Sequence, residues 1–238
     1  MREFAEIWIY LAEGPLLWLA VTLIAYALGD GLARASHRKP WVNPVLIAAA
    51  LLAVVLWTTG TTYQTYFEGA QFVHFLLGPA TVALALPLSD NIGQLRRAAL
   101  PAAVALVAGS LTAMASALAI ARMFGISGET LLSLAPKSAT APVALGISEA
   151  IGGSPTLTAV LVILTGVIGA IVATPLLNAL RIRDWRARGF CVGVAAHGIG
   201  TARAFQVNPT AGAFAGLGMG MNAVLTALAA PYVLRLFL

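Results

Sequence analysis

A lysine between two prolines is the first residue of this chain whose surroundings suggest chemistry. Lys137, Ser138 and Thr140 lie in the segment PKSATAP, which runs from Pro136 to Pro142. Proline lacks a backbone N–H and ends helices, so the segment predicts two half-helices whose N–H groups and dipoles favour negative charge. A lysine in hydrocarbon costs at least ~2.5 kcal/mol, which an anionic ligand would offset. The alternative is a lysine that reaches the membrane surface from a loop.

The segment HGIGTAR is the second candidate. It contains His197, Gly198, Gly200, Thr201 and Arg203. Glycine adopts backbone conformations that other residues avoid, threonine adds a hydroxyl, and the arginine fork can hold a carboxylate by two hydrogen bonds. These residue types favour an anion site at an interruption of a helix. The alternative is close helix packing through small residues.

Five further residues could serve the same cavity. Glu149 could pair with the lysine, bind a coupling cation, carry a proton, or lie at the membrane interface. Gly78, Pro79 and Thr81 interrupt an apolar stretch, and Asn222 could hydrogen-bond between helices. Neither a nucleophile with a base in reach nor a set of metal ligands can be recognised in the sequence. We therefore expect no enzymatic activity, no cofactor and no metal site.

The composition indicates which elements hold these residues. Of the 238 residues, 60% are hydrophobic and 10% are charged, and the mean hydropathy is +0.89. A soluble domain has about 25% charged residues, so this chain has too few to cover a surface in water. The composition predicts an all-α polytopic integral membrane protein. Its net charge of +5 then reflects membrane topology rather than a nucleic-acid partner.

Six apolar stretches predict full transmembrane helices, each close to the ~20 residues that a bilayer requires. They are Ile7–Leu28, Pro44–Thr59, Phe72–Leu88, Ala98–Ala121, Pro155–Leu180 and Thr210–Leu234. The first is long for a signal peptide, so we expect it to be retained. Basic residues concentrate in the loops at 34–39, 96–97 and 181–188, whereas the loop Gly60–Gln71 has none. The positive-inside rule puts the basic loops in the cytoplasm of a multi-pass inner-membrane protein and puts Gly60–Gln71 outside.

This topology constrains the segment around the lysine. Counting membrane crossings from the first basic loop, Thr130–Ser154 has to leave and return on the outer side. It would form a re-entrant pair of half-helices broken at Pro136–Pro142. The alternative is a full span broken by proline, which would leave four arginines outside. With the break at His197–Thr201, the predicted fold has about six full transmembrane helices and two broken or re-entrant hairpins.

A faint internal repeat accompanies these elements. Ala80–Gly93 and Ala139–Gly152 are identical at seven of fourteen aligned positions. Apolar sequence also produces such matches by chance. A true repeat would be typical of secondary transporters, many of which contain a structural duplication.

The longer motifs of the chain resemble the LrgB/CidB family. The resemblance is carried by LAPKSATAPVALGISEAIGG at Leu134–Gly153, AAHGIGTARA at Ala195–Ala204 and GAFAGLGMGMNAVLTALAAP at Gly212–Pro231. It covers most of residues 43–238, whereas residues 1–42 hold the first predicted helix and the basic loop. Residues 1–238 would then form a single transmembrane domain of that type.

The resemblance implies a function and partners. The family is described as antiholin-like, modulating murein hydrolase activity and autolysis. It also includes the plastid glycolate/glycerate translocator and bacterial members associated with pyruvate uptake. For this chain it implies transport of small monocarboxylates, with a LrgA/CidA-type membrane protein as a possible partner and a homo-oligomer such as a dimer as the expected assembly. The matching motif residues are Lys137, Ser138, Thr140, His197, Gly198, Gly200, Thr201 and Arg203.

Two main functions therefore remain open at the level of sequence. The first is a secondary transporter of a small organic anion, such as pyruvate, glycolate or glycerate, with its site between two broken helices. The second is an antiholin-like regulator of a holin-type pore, acting through protein contacts. A regulator needs contact surfaces facing lipid, whereas an anion site needs buried cationic groups beside interrupted helices. A pore-forming role is a third possibility.

Overall fold

The computed structural model describes residues 14–39, 41–76, 79 and 92–238, and the elements in this part of the chain are helices. Their bounds are α1 Pro15–Ala35, α2 Pro44–Thr59, α3 Tyr63–Phe75, α4 Ile92–Arg97, α5 Ala99–Met123, α6 Gly128–Leu134, α7 Ala141–Ala150, α8 Pro155–Ala179, α9 Trp185–Val207 and α10 Pro209–Leu234. The chain divides into two compact units, Met1–Ala83 and Leu84–Leu238. Each is described by itself.

The first unit packs α1 against α2 and α3 through small residues. A Cβ at Gly29 would lie 2.6 Å from the Pro44 carbonyl oxygen, and a Cβ at Gly69 would strike the backbone at Pro15. The Trp18 side chain is fully buried. The helices begin where the sequence favours it: Pro15 occupies the first turn of α1, and the Asn43 side chain caps α2 by accepting from two backbone N–H groups.

Two predictions for this unit require correction. The first helix was predicted at Ile7–Leu28, but α1 continues to Ala35, and residues 1–13 lie outside the described part. The helix passes Leu28 because Gly29 and Ala33 continue its buried face, and an ion pair between Asp30 and Arg34, one turn apart, adds a little stability. Gly60–Gln71 was predicted as a loop, whereas α3 begins at Tyr63. Its polar residues suggested a loop, but rings along one face pack together, with the Tyr63 and Phe67 centroids 5.7 Å apart.

Four helices of the described residues are long and apolar enough to cross a membrane, namely α1, α5, α8 and α10. The last three agree within two residues with the predicted spans Ala98–Ala121, Pro155–Leu180 and Thr210–Leu234. The predicted span Pro44–Thr59 is a shorter apolar helix. Most of Phe72–Leu88, and with it most of the first copy of the suggested repeat, lies outside the described residues. The protein is thus a multi-pass helical membrane protein, with six spans and a repeat left as predictions.

In the second unit, α6 and α7 form a helical hairpin, residues 128–150, here called the first hairpin. Its tip, residues 135–140, is the predicted proline-bounded break. At its open end the Ser154 backbone N–H donates to Ser133 Oγ at 2.8 Å, and Thr158 Oγ1 donates to the Ser133 carbonyl at 3.0 Å. The chain that follows α7 therefore lies beside α6 again. Its halves of 7 and 10 residues are too short to cross ~30 Å of hydrocarbon.

Helix α9 is a second hairpin, residues 185–207, because its two halves fold back on each other. The backbone leaves helical geometry at Ala196 and His197. Val192 and Ala204 belong to one buried cluster, although twelve residues of straight helix would separate them by about 18 Å. The predicted break at His197–Thr201 is thus present but shorter than expected. Gly200 and Thr201 already belong to the returning half.

The two hairpins open at opposite ends of the second unit. Near one end, Leu118 of α5 packs with Leu131 of the first hairpin and Leu234 of α10. Near the other end, Leu106 of α5 packs with Phe190 of the second hairpin and Phe214 of α10. Helices α5 and α10 therefore run in the same direction between the two open ends.

Candidate functional site

The tips of the two hairpins meet at one turn of α8. The imidazole of His197, at the tip of the second hairpin, donates through Nε2 to the Val162 carbonyl at 2.8 Å. The side chain of the same Val162 packs with Ala139 and Ala144 of the first hairpin. Two segments about sixty residues apart in sequence are thereby joined through one residue near the middle of a membrane-spanning helix.

Glycines in α8 make room for the second tip. A Cβ at Gly166 would lie 2.6 Å from His197 Cε1, and a Cβ at Gly169 would lie 2.4 Å from the Ala196 Cβ. Both distances are closer than atoms can approach, so these positions accept only glycine without rearrangement. The imidazole is consequently held against α8, where it is almost fully buried.

The lysine predicted to bind an anion lies at the tip of the first hairpin. Lys137 is half-buried, and its Nζ donates to Ser138 Oγ at 3.2 Å. The neighbouring Ala139 and the His197 imidazole both contact Val162. The tip that carries Lys137 and Ser138 therefore lies near His197, while the binding role of these residues stays a prediction.

Asn222 completes this group from α10. Its Nδ2 donates to the Ser138 carbonyl at 3.0 Å, which fixes the amide orientation because a carbonyl can only accept. Its Oδ1 is buried and has no hydrogen-bond partner within the part of the chain that the structure describes. A buried amide oxygen without a donor is costly. A ligand hydroxyl or a water molecule would satisfy it.

The other residues of the HGIGTAR motif differ from expectation. His197 itself has the positive φ, 40°, whereas Gly198 and Gly200 are helical. Gly200 serves close packing, since a Cβ there would lie 2.9 Å from Val192 Cγ1. The Thr201 hydroxyl donates to the His197 carbonyl at 2.8 Å. At Gly198, by contrast, an added Cβ would make an ordinary contact with Met219 Sδ at 3.8 Å, so this position does not require glycine for packing.

Arg203 lies in a different place from Lys137. Six residues of helix, about 9 Å, separate it from the tip, and its Nη1 donates to Gln206 Oε1 at 3.3 Å. It lines a cleft of about 330 Å³ at the open end of the second hairpin, together with Trp185 and Arg188. The fold-back of α9 turns Arg203 toward this cleft, so the two basic residues of the predicted anion site, Lys137 and Arg203, lie in different surroundings.

The remaining predicted residues are peripheral or outside the described part. Thr140 is the N-cap residue of α7. Glu149 is exposed at the open end of the first hairpin, away from Lys137, in agreement with the interfacial alternative. Pro79 is described alone and is exposed. Gly78 and Thr81 lie outside the described residues.

Several contacts in the structure were not predicted from the sequence. Thr158 Oγ1 donates to the Ser133 carbonyl and lies within hydrogen-bond distance of Ser148 Oγ, at 2.7 Å. This buried hydroxyl cluster attaches the first hairpin to α8. Its residues are scattered serines and threonines without a local motif. Arg188 was predicted only as part of a basic loop. Its position three residues after the start of α9 could have indicated a buried cation.

The chain was compared with known proteins. YwbG of Bacillus subtilis strain 168 is 34% identical over 216 residues, covering 91% of this chain and 96% of that protein. The holin-like protein CidB of Staphylococcus epidermidis is 30% identical over 221 residues, covering 93% and 96%. No solved structure matches. The model of the LrgB-like family matches residues 22–236, and the chain therefore belongs to the LrgB-like family.

Proposed function

We propose that this protein is a secondary transporter of small organic anions, monocarboxylates such as pyruvate, glycolate or glycerate, across the cell inner membrane. The observation that carries the proposal is the meeting of two hairpin tips at Val162. Interrupted helices are tolerated at membrane depth where they line a cavity or lie inside the protein. Half-helices meeting near the midplane are the arrangement that secondary transporters use for substrate sites.

The charges favour re-entrant hairpins with a defined orientation. Among the described residues of the second unit, seven arginines and Asp184 lie at the open end of the second hairpin: Arg96, Arg97, Arg181, Arg183, Arg186, Arg188 and Arg203. The opposite end holds two arginines and two glutamates: Arg122, Arg235, Glu129 and Glu149. The positive-inside rule then makes the arginine-rich end cytoplasmic. The first hairpin enters from outside and the second from the cytoplasm.

The site offers complementary groups for a hydroxylated or keto monocarboxylate. The Lys137 ammonium supplies the charge that a carboxylate requires in low dielectric, and Ser138 can reorient its hydroxyl toward the same anion. The Oδ1 of Asn222 can accept a hydrogen bond from a substrate hydroxyl. Binding would place the anion among the two tips, α8 and α10.

Uptake by reconstituted protein tests this proposal. Purified full-length protein in liposomes should take up labelled glycolate and pyruvate but not neutral glycolamide. Lys137→Met should reduce uptake at least tenfold, because removing one charged partner of a charge-assisted hydrogen bond costs ~1.5–3 kcal/mol. Lys39→Met makes the same change at an exposed lysine and should leave uptake unchanged. Equal uptake by both variants would refute the proposed site.

An antiholin-like regulator is the second candidate, favoured by the name holin-like protein CidB that the staphylococcal relatives carry. In this alternative the protein, as a homodimer or with a LrgA/CidA-type partner, modulates a pore and thereby autolysis. Coexpression with such a partner should then change the release of a trapped dye from cells, equally with wild type and with Lys137→Met. A regulatory effect that Lys137→Met abolishes would instead favour transport as the primary activity.

A further inference from the structure

The cleft at the open end of the second hairpin has features of a binding site of its own. It encloses about 330 Å³ of space, including the solvent at its open mouth. Hereafter called the basic cleft, it lies between α8, the two halves of α9 and the first turn of α10. Its lining is Ala173, Thr174, Leu177, Trp185, Arg188, Gly189, Val192, Arg203, Ala204, Val207 and Ala211.

Two arginines distant in the chain line this small cleft. Arg188 and Arg203 are fifteen residues apart, and only the fold-back at Ala196 and His197 brings them to one place. Two guanidinium groups that line one apolar cleft would both attract an anion, and the attraction is stronger where water is scarce.

The Arg188 guanidinium is fixed in position and keeps N–H donors for such a ligand. Its residue is 8% exposed, its Nη1 donates to the neutral Ile182 carbonyl at 3.0 Å, and its Cζ lies 4.9 Å from the Trp185 ring centroid. The bond to Ile182 uses one of five N–H donors, so donors of the planar fork remain for a ligand. Asp184, the nearest acid in sequence, is instead bonded to Arg186 at 2.6 Å.

The walls of the cleft indicate the ligand class. Apart from the arginines, Thr174 and the tryptophan, they consist of alanine, glycine, valine and leucine. An anion with a short carbon body complements such walls, whereas a fully polar inorganic ion would make no favourable contact with them. A planar carboxylate also matches the geometry of the arginine fork.

We propose that the basic cleft is a second, peripheral binding site for a small monocarboxylate, at the cytoplasmic end of the second hairpin and separate from Lys137. The choice of ligand rests on the proposed function, whereas the existence of an anion site rests on Arg188, Arg203 and the cleft itself. At this end of the hairpin the site would hold substrate on the cytoplasmic side of the membrane.

Tryptophan fluorescence can test the proposal, because Trp185 lies in the cleft. Full-length protein in zwitterionic nanodiscs is titrated with sodium glycolate, with sodium chloride at equal ionic strength and with neutral glycolamide as controls. Glycolate alone should give a saturable signal, and Trp185→Phe should abolish it. Arg188→Gln should weaken apparent affinity by about tenfold or more, and Arg203→Gln should act similarly.

Matched variants keep the test decisive. Arg186→Gln removes an exposed arginine from the same turn and should leave the affinity unchanged, as should Lys137→Gln, which disables only the proposed central site. Unaltered binding by folded Arg188→Gln and Arg203→Gln proteins would overturn the proposal. So would loss of the glycolate signal in nanodiscs containing anionic phosphatidylglycerol, since it would identify a lipid phosphate as the occupant. Absence of uptake with intact glycolate binding would overturn the proposed transport and leave this site standing.

Discussion

At the scale of single residues, His197 combines backbone strain with a buried hydrogen bond. Its φ of 40° lies in a region where side chains other than glycine are unfavourable. The bond from Nε2 to the Val162 carbonyl at 2.8 Å and the Thr201 hydroxyl on its own carbonyl hold the residue in place. A strained residue fixed by its surroundings is a common feature of functional sites.

This combination predicts a difference in stability between two substitutions of His197. His197→Ala loses the hydrogen bond and keeps the strain, whereas His197→Gly loses the same bond but relieves the strain. Relief of about 1–3 kcal/mol outweighs the ~0.4–1 kcal/mol by which glycine favours the unfolded chain. The glycine variant should therefore be the more stable by about 1 kcal/mol. Thermal unfolding in detergent measures this, and a more stable alanine variant would contradict the strained conformation.

At the scale of elements, the second hairpin depends on close packing with α10. Cβ atoms at Gly189 and Gly193 would each lie 2.0 Å from a carbonyl oxygen of α10, those of Ala211 and Ala215. The spacing of four residues places both glycines on one face of the helix. Such small residues let two helix backbones approach within a membrane, and they hold the outgoing half of the hairpin parallel to α10.

The packing predicts a contrast between two glycines. Gly193→Ala should push the helices apart and destabilise the protein by about 1–3 kcal/mol, as overpacking does. Gly220→Ala is the matched control, because an added Cβ meets nothing within 4 Å there. Alanine favours helix over glycine, so this control should be more stable than wild type by about 0.5–1 kcal/mol. The measurement is the denaturation midpoint of each variant. Similar midpoints would exclude the close contact between Gly193 and α10.

The start of the second hairpin is pH-sensitive through its N-cap. Asp184 accepts from the Arg186 backbone N–H at 2.8 Å, and the side-chain bond from Arg186 lowers the pKa of the Asp184 carboxyl to about 2. Because the unfolded pKa is about 3.9, the stabilisation is complete above that pH. It is lost as the pH falls toward 2.

The corresponding variant is Asp184→Asn, which keeps a good N-cap residue and removes the charge. Its melting temperature should be slightly below that of wild type at pH 7, because both partners are exposed and screened. The difference should stay constant down to about pH 4 and disappear as the pH falls through 2. Arg186→Gln should behave in the same way. A difference that does not shrink between pH 4 and pH 2 would show that the carboxylate charge is not its source.

At the scale of the whole molecule, the uneven distribution of charge predicts opposite membrane sides for the two hairpin openings. Single cysteines at the exposed positions Glu149 and Arg183, in a Cys191→Ser background, should react with an impermeant thiol reagent from different sides. In intact cells only the cysteine at 149 should be labelled, and in inverted vesicles only that at 183. Labelling of both from one side would mean that a hairpin crosses the membrane.

The class of protein and the places where its helices break could be predicted from local sequence. Low charge and long apolar runs require lipid as solvent whatever the packing, so α5, α8 and α10 were located within two residues. Proline acts locally as well, and the tip of the first hairpin therefore lies where Pro136 and Pro142 put it. The motifs also sufficed to identify the LrgB-like family.

Which of the candidate residues lie together depends on how the helices pack. Whether Arg203 faces Lys137 or Arg188 depends on the angle at Ala196 and His197, and no local pattern encodes that angle. The apolar periodicity of α9 is the same for a straight helix and for one that folds back. Contacts between distant segments, such as Val162 with His197, arise from packing that minimises strain and voids over many residues together. As a result of that packing, the residues of the one predicted anion site are divided between a central group at the hairpin tips and a separate basic cleft.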